Sequence, residues 1–111
     1  MTINRLLAQM TVSDLDRAVD WYGRFFDRGP DARPMDGLVE WHLADAFGVQ
    51  VWLDPERAGR SAMVLDESDL DGCASELDAA GLPYEGPQEV TASRIIQLVD
   101  PDGNQVVITG E

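Results

Sequence analysis

The chain has no lysine, one cysteine and one histidine in 111 residues, and it has no long apolar run. Each scarcity excludes something. With a single thiol, Cys73, no intrachain disulfide can form, and nothing calls for an oxidising compartment. No stretch approaches the roughly 20 apolar residues of a membrane span, and no basic-then-apolar leader opens the sequence. A cytoplasmic setting is therefore expected. Eight arginines face 21 acidic residues, a net charge of −13, which argues against nucleic acid or an anionic membrane as partner. The same charge supports solubility and would draw a cationic ligand. No Ser-His-Asp or Cys-His set can be assembled around His42, a lone histidine rules out a histidine-rich metal cluster, and no Gly-rich phosphate loop is present.

What is present is a duplication. Ser13-Asp14-Leu15-Asp16 recurs as Ser68-Asp69-Leu70-Asp71, an offset of 55 residues. The same offset lays Asp45 to Leu53 on Asp100 to Ile108, with Asp, Gly, Gln and Val matching and no gap. A repeat found at this level dictates the architecture. The expected halves are 1–54 and 61–111, joined by a polar linker at 55–60 within one domain.

Each half follows one order. A strand-length apolar stretch (Ile3 to Thr11, then Ala62 to Leu65) leads to a cap at Ser13 or Asp14, and at Ser68 or Asp69. Leu15, Ala18, Val19, Tyr22 and Phe26 then recur at helical spacing, as do Leu70, Cys73, Ala74 and Leu77. Cys73 thus reads as a small packing residue and Trp21 as an exposed helix residue or a subunit contact. Arg28-Gly29-Pro30 and Gly81-Leu82-Pro83 stop the helices. The period then becomes two. Leu38 to Leu43 and Val49 to Leu53 flank one turn, while Arg94 to Val99 and Gln105 to Thr109 flank Asp-Pro-Asp-Gly-Asn. Weaker strands are expected near 32–35 and 84–90. The fold class is α+β, two tandem βαβββ units with curved mixed sheets.

Alternate strand residues share a face. Pairing Ala44 with Val49 would gather Trp41, Leu43, Gln50 and Trp52 on the concave face, with His42 turned toward the helix. The offset adds Ile96, Leu98, Gln105 and Val107, and Arg94 joins them. Leu7 and Gln9, with their counterparts Ala62 and Val64, come from the opening strands.

Val-Ser-Asp-Leu-Asp-Arg-Ala-Val-Asp-Trp-Tyr in the first unit and Asp-Pro-Asp-Gly-Asn-Gln-Val-Val-Ile in the second resemble the vicinal-oxygen-chelate superfamily. That superfamily includes glyoxalase I, extradiol dioxygenases and bleomycin-resistance proteins, and the resemblance spans nearly the whole chain. It implies a homodimer whose sheets curl around a ligand cavity. Metal-dependent members carry His or Gln seven residues before the capping Asp, and Glu seven residues after the first Asp of the Asp-Pro-Asp-Gly turn. Those positions fall on Leu7 and Val107, and their repeat partners are Ala62 and Trp52. None can ligate a metal through its side chain. The resemblance therefore implies a cofactor-free, metal-independent binder of a small planar or amphipathic compound, neutral or cationic, such as an aromatic antibiotic. The residues implicated are Trp52, Trp41, Gln50, Gln105, Gln9, Arg94, Leu7 and Val107. The competing expectation is an enzyme of the lyase or dioxygenase kind with an atypical site, to which His42, Glu40 and Gln9 would belong.

Overall fold

The computed structural model describes residues 1–111. The first unit comprises β1 (Leu6–Val12), α1 (Leu15–Phe26), β2 (Ala32–Met35), β3 (Leu38–His42) and β4 (Phe47–Leu53). The second comprises β5 (Ala62–Asp66), α2 (Leu70–Ala80), β6 (Glu85–Val90), β7 (Ser93–Val99) and β8 (Gln105–Gly110). The sheets run β1-β4-β3-β2 and β5-β8-β7-β6. In each, the opening strand pairs in parallel with the last strand, and the other pairs are antiparallel. The two short outer strands hold Pro34 and Pro87, which an edge tolerates because one side of its backbone has no ladder partner.

Both helices start where a short acidic side chain replaces a missing intrahelical partner. Asp14 accepts the Arg17 amide and Asp69 accepts the Gly72 amide. Asp16 and Asp71 in the first turns oppose the positive end of each helix dipole. α1 closes at Asp27, which adopts the left-handed conformation at φ 57°, and α2 closes at Gly81 at φ 70°.

One buried cluster spans both units. Met10, Val12, Val39, Trp41, Val49 and Val51 join Met63, Ile96, Leu98, Val106 and Ile108 around the inner faces of the helices. Trp21 is part of it, 8% exposed, edge-on to Tyr22 at 4.7 Å and stacked on Phe25 at 5.4 Å. It is a core residue, which corrects the exposed position expected for it. The helical stripe runs wider than Leu15, Ala18, Val19, Tyr22 and Phe26 because aromatic neighbours extend it sideways.

The β7–β8 turn fastens the units together. Asp100, 3% exposed, accepts the Tyr22 hydroxyl at 2.8 Å, and the Asn104 side-chain amide donates to the Thr11 carbonyl at 2.7 Å. Asn104 also accepts the Ser61 amide, and Asp102 accepts the Ser13 amide. A loop from the second unit thus supplies partners for buried polar groups of the first, which would be costly to leave unpaired.

Candidate functional site

Each sheet packs one face on the helices and leaves the other free of them. Register decides which side chains occupy that helix-free face. Across β3 and β4, Trp41 opposes Val49, Glu40 opposes Gln50, Leu38 opposes Trp52 and His42 opposes Gly48. Trp41 therefore lies on the helix side, fully buried, with Phe26 at 5.6 Å and Tyr22 at 6.0 Å. Its indole N–H donates to the Arg28 carbonyl at 3.0 Å. Trp41 and Trp52 do not form a common aromatic wall. The closing pair is His42–Gly48 with five residues between them, where an Ala44–Val49 pairing leaves four, and this odd shift of register exchanges the faces. Burial of a whole indole among Tyr22 and Phe26 enforces that choice. The alternation of Val39 and Trp41 with Glu40 and His42 carries the same information in the sequence.

The second unit needs the same correction. Val99 opposes Gln105, Gln97 opposes Val107, Leu98 opposes Val106 and Ile96 opposes Ile108. Ile96 and Leu98 belong to the core, while Gln105 and Val107 remain on the helix-free face. Arg94 also turns to the helix side. It forms a two-pronged ion pair with Asp71 at 2.9 and 3.1 Å and donates to the Glu111 carbonyl at 2.8 Å. A carboxylate in the first turn of α2 outcompetes an apolar sheet face for a guanidinium.

On the first unit's helix-free face, three parallel rows cross the strands. His42, Gly48 and Leu7 form one, Glu40, Gln50 and Gln9 the next, and Leu38, Trp52 and Thr11 the third. Leu7 leans over Gly48, where a Cβ would collide with the Trp41 carbonyl and crowd Leu7 itself. Trp52 is half-buried, its ring edge beside Gly37. The middle row is joined side chain to side chain. Gln9 Nε2 donates to Gln50 Oε1 at 3.0 Å, Gln50 Nε2 donates to Glu40 Oε2 at 2.7 Å, and His42 Nε2 lies 2.9 Å from Glu40 Oε1. Glu40 is only 5% exposed. Hydrogen bonds from His42 and then Gln50 hold its carboxyl below the usual glutamate range, against the opposing effect of burial. His42 thus faces away from the helix, contrary to the orientation expected for it.

The second unit's helix-free face carries a pocket of about 340 Å³ that Gln97, Val99, Gln105 and Val107 line with Tyr84 and Glu85. A separate polar pocket of about 330 Å³ lies at the junction of the units, between Gln9, Thr11, Ser61 and the side chains of Arg57 and Arg60. The structure therefore groups the candidates into Leu7, Gln9, Gln50 and Trp52 on one face and Gln105 and Val107 on the other. It removes Trp41 and Arg94 from both.

Leu7, Trp52, Ala62 and Val107, the positions that the superfamily resemblance marks for metal ligands, all lie on helix-free faces. Three hydrocarbon side chains and an indole offer no lone pair to a divalent cation, so these residues do not fit a metal there.

No family model and no curated relative matches the chain. Solved structures do. A glyoxalase/bleomycin resistance protein from Catenulispora acidiphila superposes with a TM-score of 0.88 at 27% identity, over 96% of this chain and 97% of that one. TnmS3, an antibiotic-binding protein from Streptomyces sp. CB03234, gives 0.77 at 21% identity over 99% and 95%. A bleomycin-binding protein in complex with bleomycin gives 0.80 at 17% identity over 96% and 98%. With two βαβββ units in this strand order and superpositions spanning both, the chain has the vicinal-oxygen-chelate fold in its glyoxalase/bleomycin-resistance form.

Proposed function

We propose that this protein binds a small planar or amphipathic organic molecule on its helix-free sheet faces, without a metal or cofactor and without transforming it. The carrying observation is the face itself: a half-buried Trp52 stands among Leu7, Leu38 and a glutamine pair, and Leu7, Trp52, Ala62 and Val107 offer no metal donor. Apolar surface with a few fixed polar groups is the usual composition of a small-molecule site. Structurally similar proteins that bind bleomycin and other antibiotics favour an aromatic antibiotic as the class of ligand. In this reading the two units act as a single domain in the cytoplasm, and a second copy completes the cavity. Val64 and Val99, 67% and 58% exposed on the second unit's helix-free face, provide apolar surface for that partner.

Titration with bleomycin and with a panel of planar antibiotics, followed by tryptophan fluorescence, tests the reading. Saturable quenching that Trp52→Ala weakens by about tenfold, with the fold retained, is expected from the loss of area and stacking. No saturable response from any of them would defeat it. The Glu40–His42 pair favours a second reading, an enzyme using a carboxylate-oriented imidazole. Turnover of a bound compound that His42→Phe abolishes would establish that one instead.

A further inference from the structure

The row Glu40, Gln50, Gln9, with His42 joined to its inner end, is a directional chain. An ionised carboxylate only accepts hydrogen bonds, so Glu40 obliges His42 to present Nε2–H and Gln50 to present its NH2 group. Gln50 then has its carbonyl toward Gln9, and Gln9 answers with its own NH2. Each amide orientation follows from the one before it, and all follow from one buried charge. The consequence appears at the two open ends. His42 has Nδ1 left over, an acceptor whenever the ring is neutral, and Gln9 has Oε1 left over. Neither atom has a partner: Gln9 is an exposed residue, and no buried side-chain nitrogen or oxygen is unpaired, so His42 Nδ1 also reaches solvent. Between them the face is Leu7 and the bare backbone at Gly48, with Trp52 and Leu38 on the far side of the chain.

We propose that this face selects aromatic ligands carrying two N–H or O–H donors roughly 10–12 Å apart, one donor to His42 Nδ1 and one to Gln9 Oε1, since these residues stand two strands apart across the sheet and one row apart along it. The inference rests on the small-molecule reading above and adds the chemistry of the cargo: an aromatic body with a hydrogen-bond donor at each end. Glu40 is a positioning residue here. His42 and Gln9 make the contacts.

The probe set is 4,4′-dihydroxybiphenyl, whose hydroxyls stand at a comparable separation, 4-hydroxybiphenyl with one donor, and 4,4′-dimethoxybiphenyl with none. At about pH 8, where imidazole in general is neutral, the dihydroxy compound should bind roughly tenfold tighter than the dimethoxy compound, with the single hydroxyl between them. Because His42 is the only histidine, its nitrogen resonances are unambiguous. The dihydroxy compound should shift Nδ1, and the dimethoxy compound should leave it in place. Glu40→Gln frees the amides to turn over and should bring the affinity ratio toward one. If that variant fails to fold, His42→Phe and Gln9→Leu carry the test, each reducing the dihydroxy compound to the affinity of the single hydroxyl. Equal binding of dihydroxy and dimethoxy probes, or an unmoved Nδ1, overturns the inference while leaving aromatic binding intact. Failure of all three probes to bind overturns the inference, and the antibiotic titration then decides the small-molecule reading separately.

Discussion

The two strand tryptophans are chemically identical and positioned for opposite tasks. Trp41 is fully enclosed by the α1 aromatics, so Trp41→Ala should cost about 3–5 kcal/mol, the range for emptying a large aromatic site. Trp52 is half-exposed and should cost well under half of that while weakening ligand binding. Urea denaturation of both variants measures the contrast, and equal losses would contradict the register. Glu40 sets a pH dependence. Its carboxyl is held below the ordinary range, so the stability it contributes is complete above the pKa of an unfolded glutamate. That contribution disappears as pH falls through the lowered value. Glu40→Gln should be less stable than the parent near neutrality and converge with it in acid. Cys73 is pushed up to about 11, by burial first and then by Glu67, Glu76 and Asp69. At pH 8 it should alkylate roughly 100-fold more slowly than a free cysteine, the deficit in thiolate. Rapid labelling of the folded protein would place the thiol elsewhere.

At the scale of elements, most of the architecture was legible because each element carried its own signal. The 55-residue offset exposed the two units, Asp14 and Asp69 marked helix starts, and Asp-Pro-Asp-Gly-Asn marked the last turn. The edge strands expected near 32–35 and 84–90 are there as Ala32–Met35 and Glu85–Val90. What remained hidden was pairing between strands, since a turn of four residues or of five reverses the faces without altering any propensity. The site suffered most from this. Alternation puts Gln9, Gln50, Trp52, Leu7, Gln105 and Val107 on the helix-free faces, but it puts Trp41 and Arg94 there too and turns His42 away from them. Alternation in Val39-Glu40-Trp41-His42 held the answer, because a buried tryptophan and a buried valine must share a side. The caps offer a check at this scale. Asp14→Ala removes the acceptor for the Arg17 amide and should cost about 1 kcal/mol, read from the midpoint of thermal unfolding.

For the molecule as a whole, the apolar surface on the helix-free faces sets the expected association. Sedimentation should give a dimer at micromolar concentration, and Val64→Glu with Val99→Glu should return it to a monomer with an unchanged far-ultraviolet spectrum. The asymmetry between the two turns has a different consequence. On one side, Asp100, Asp102 and Asn104 grip Thr11, Ser13 and Tyr22 of the other unit. On the equivalent side, the β3–β4 turn borders an open apolar groove of about 450 Å³, where Phe47 and Leu43 face Cys73, Glu76 and Leu77 of α2 without such a grip. The duplicated chain is latched along one seam and merely abutting along the other, so its spontaneous openings have a direction. The β3–β4 end should swing away first and often, and the Asp100 seam should part only when the whole molecule unfolds. Deuterium should enter the Ala44 amide long before those of Asn104 and Ser61, which gives two near-identical halves very different lifetimes in the closed state.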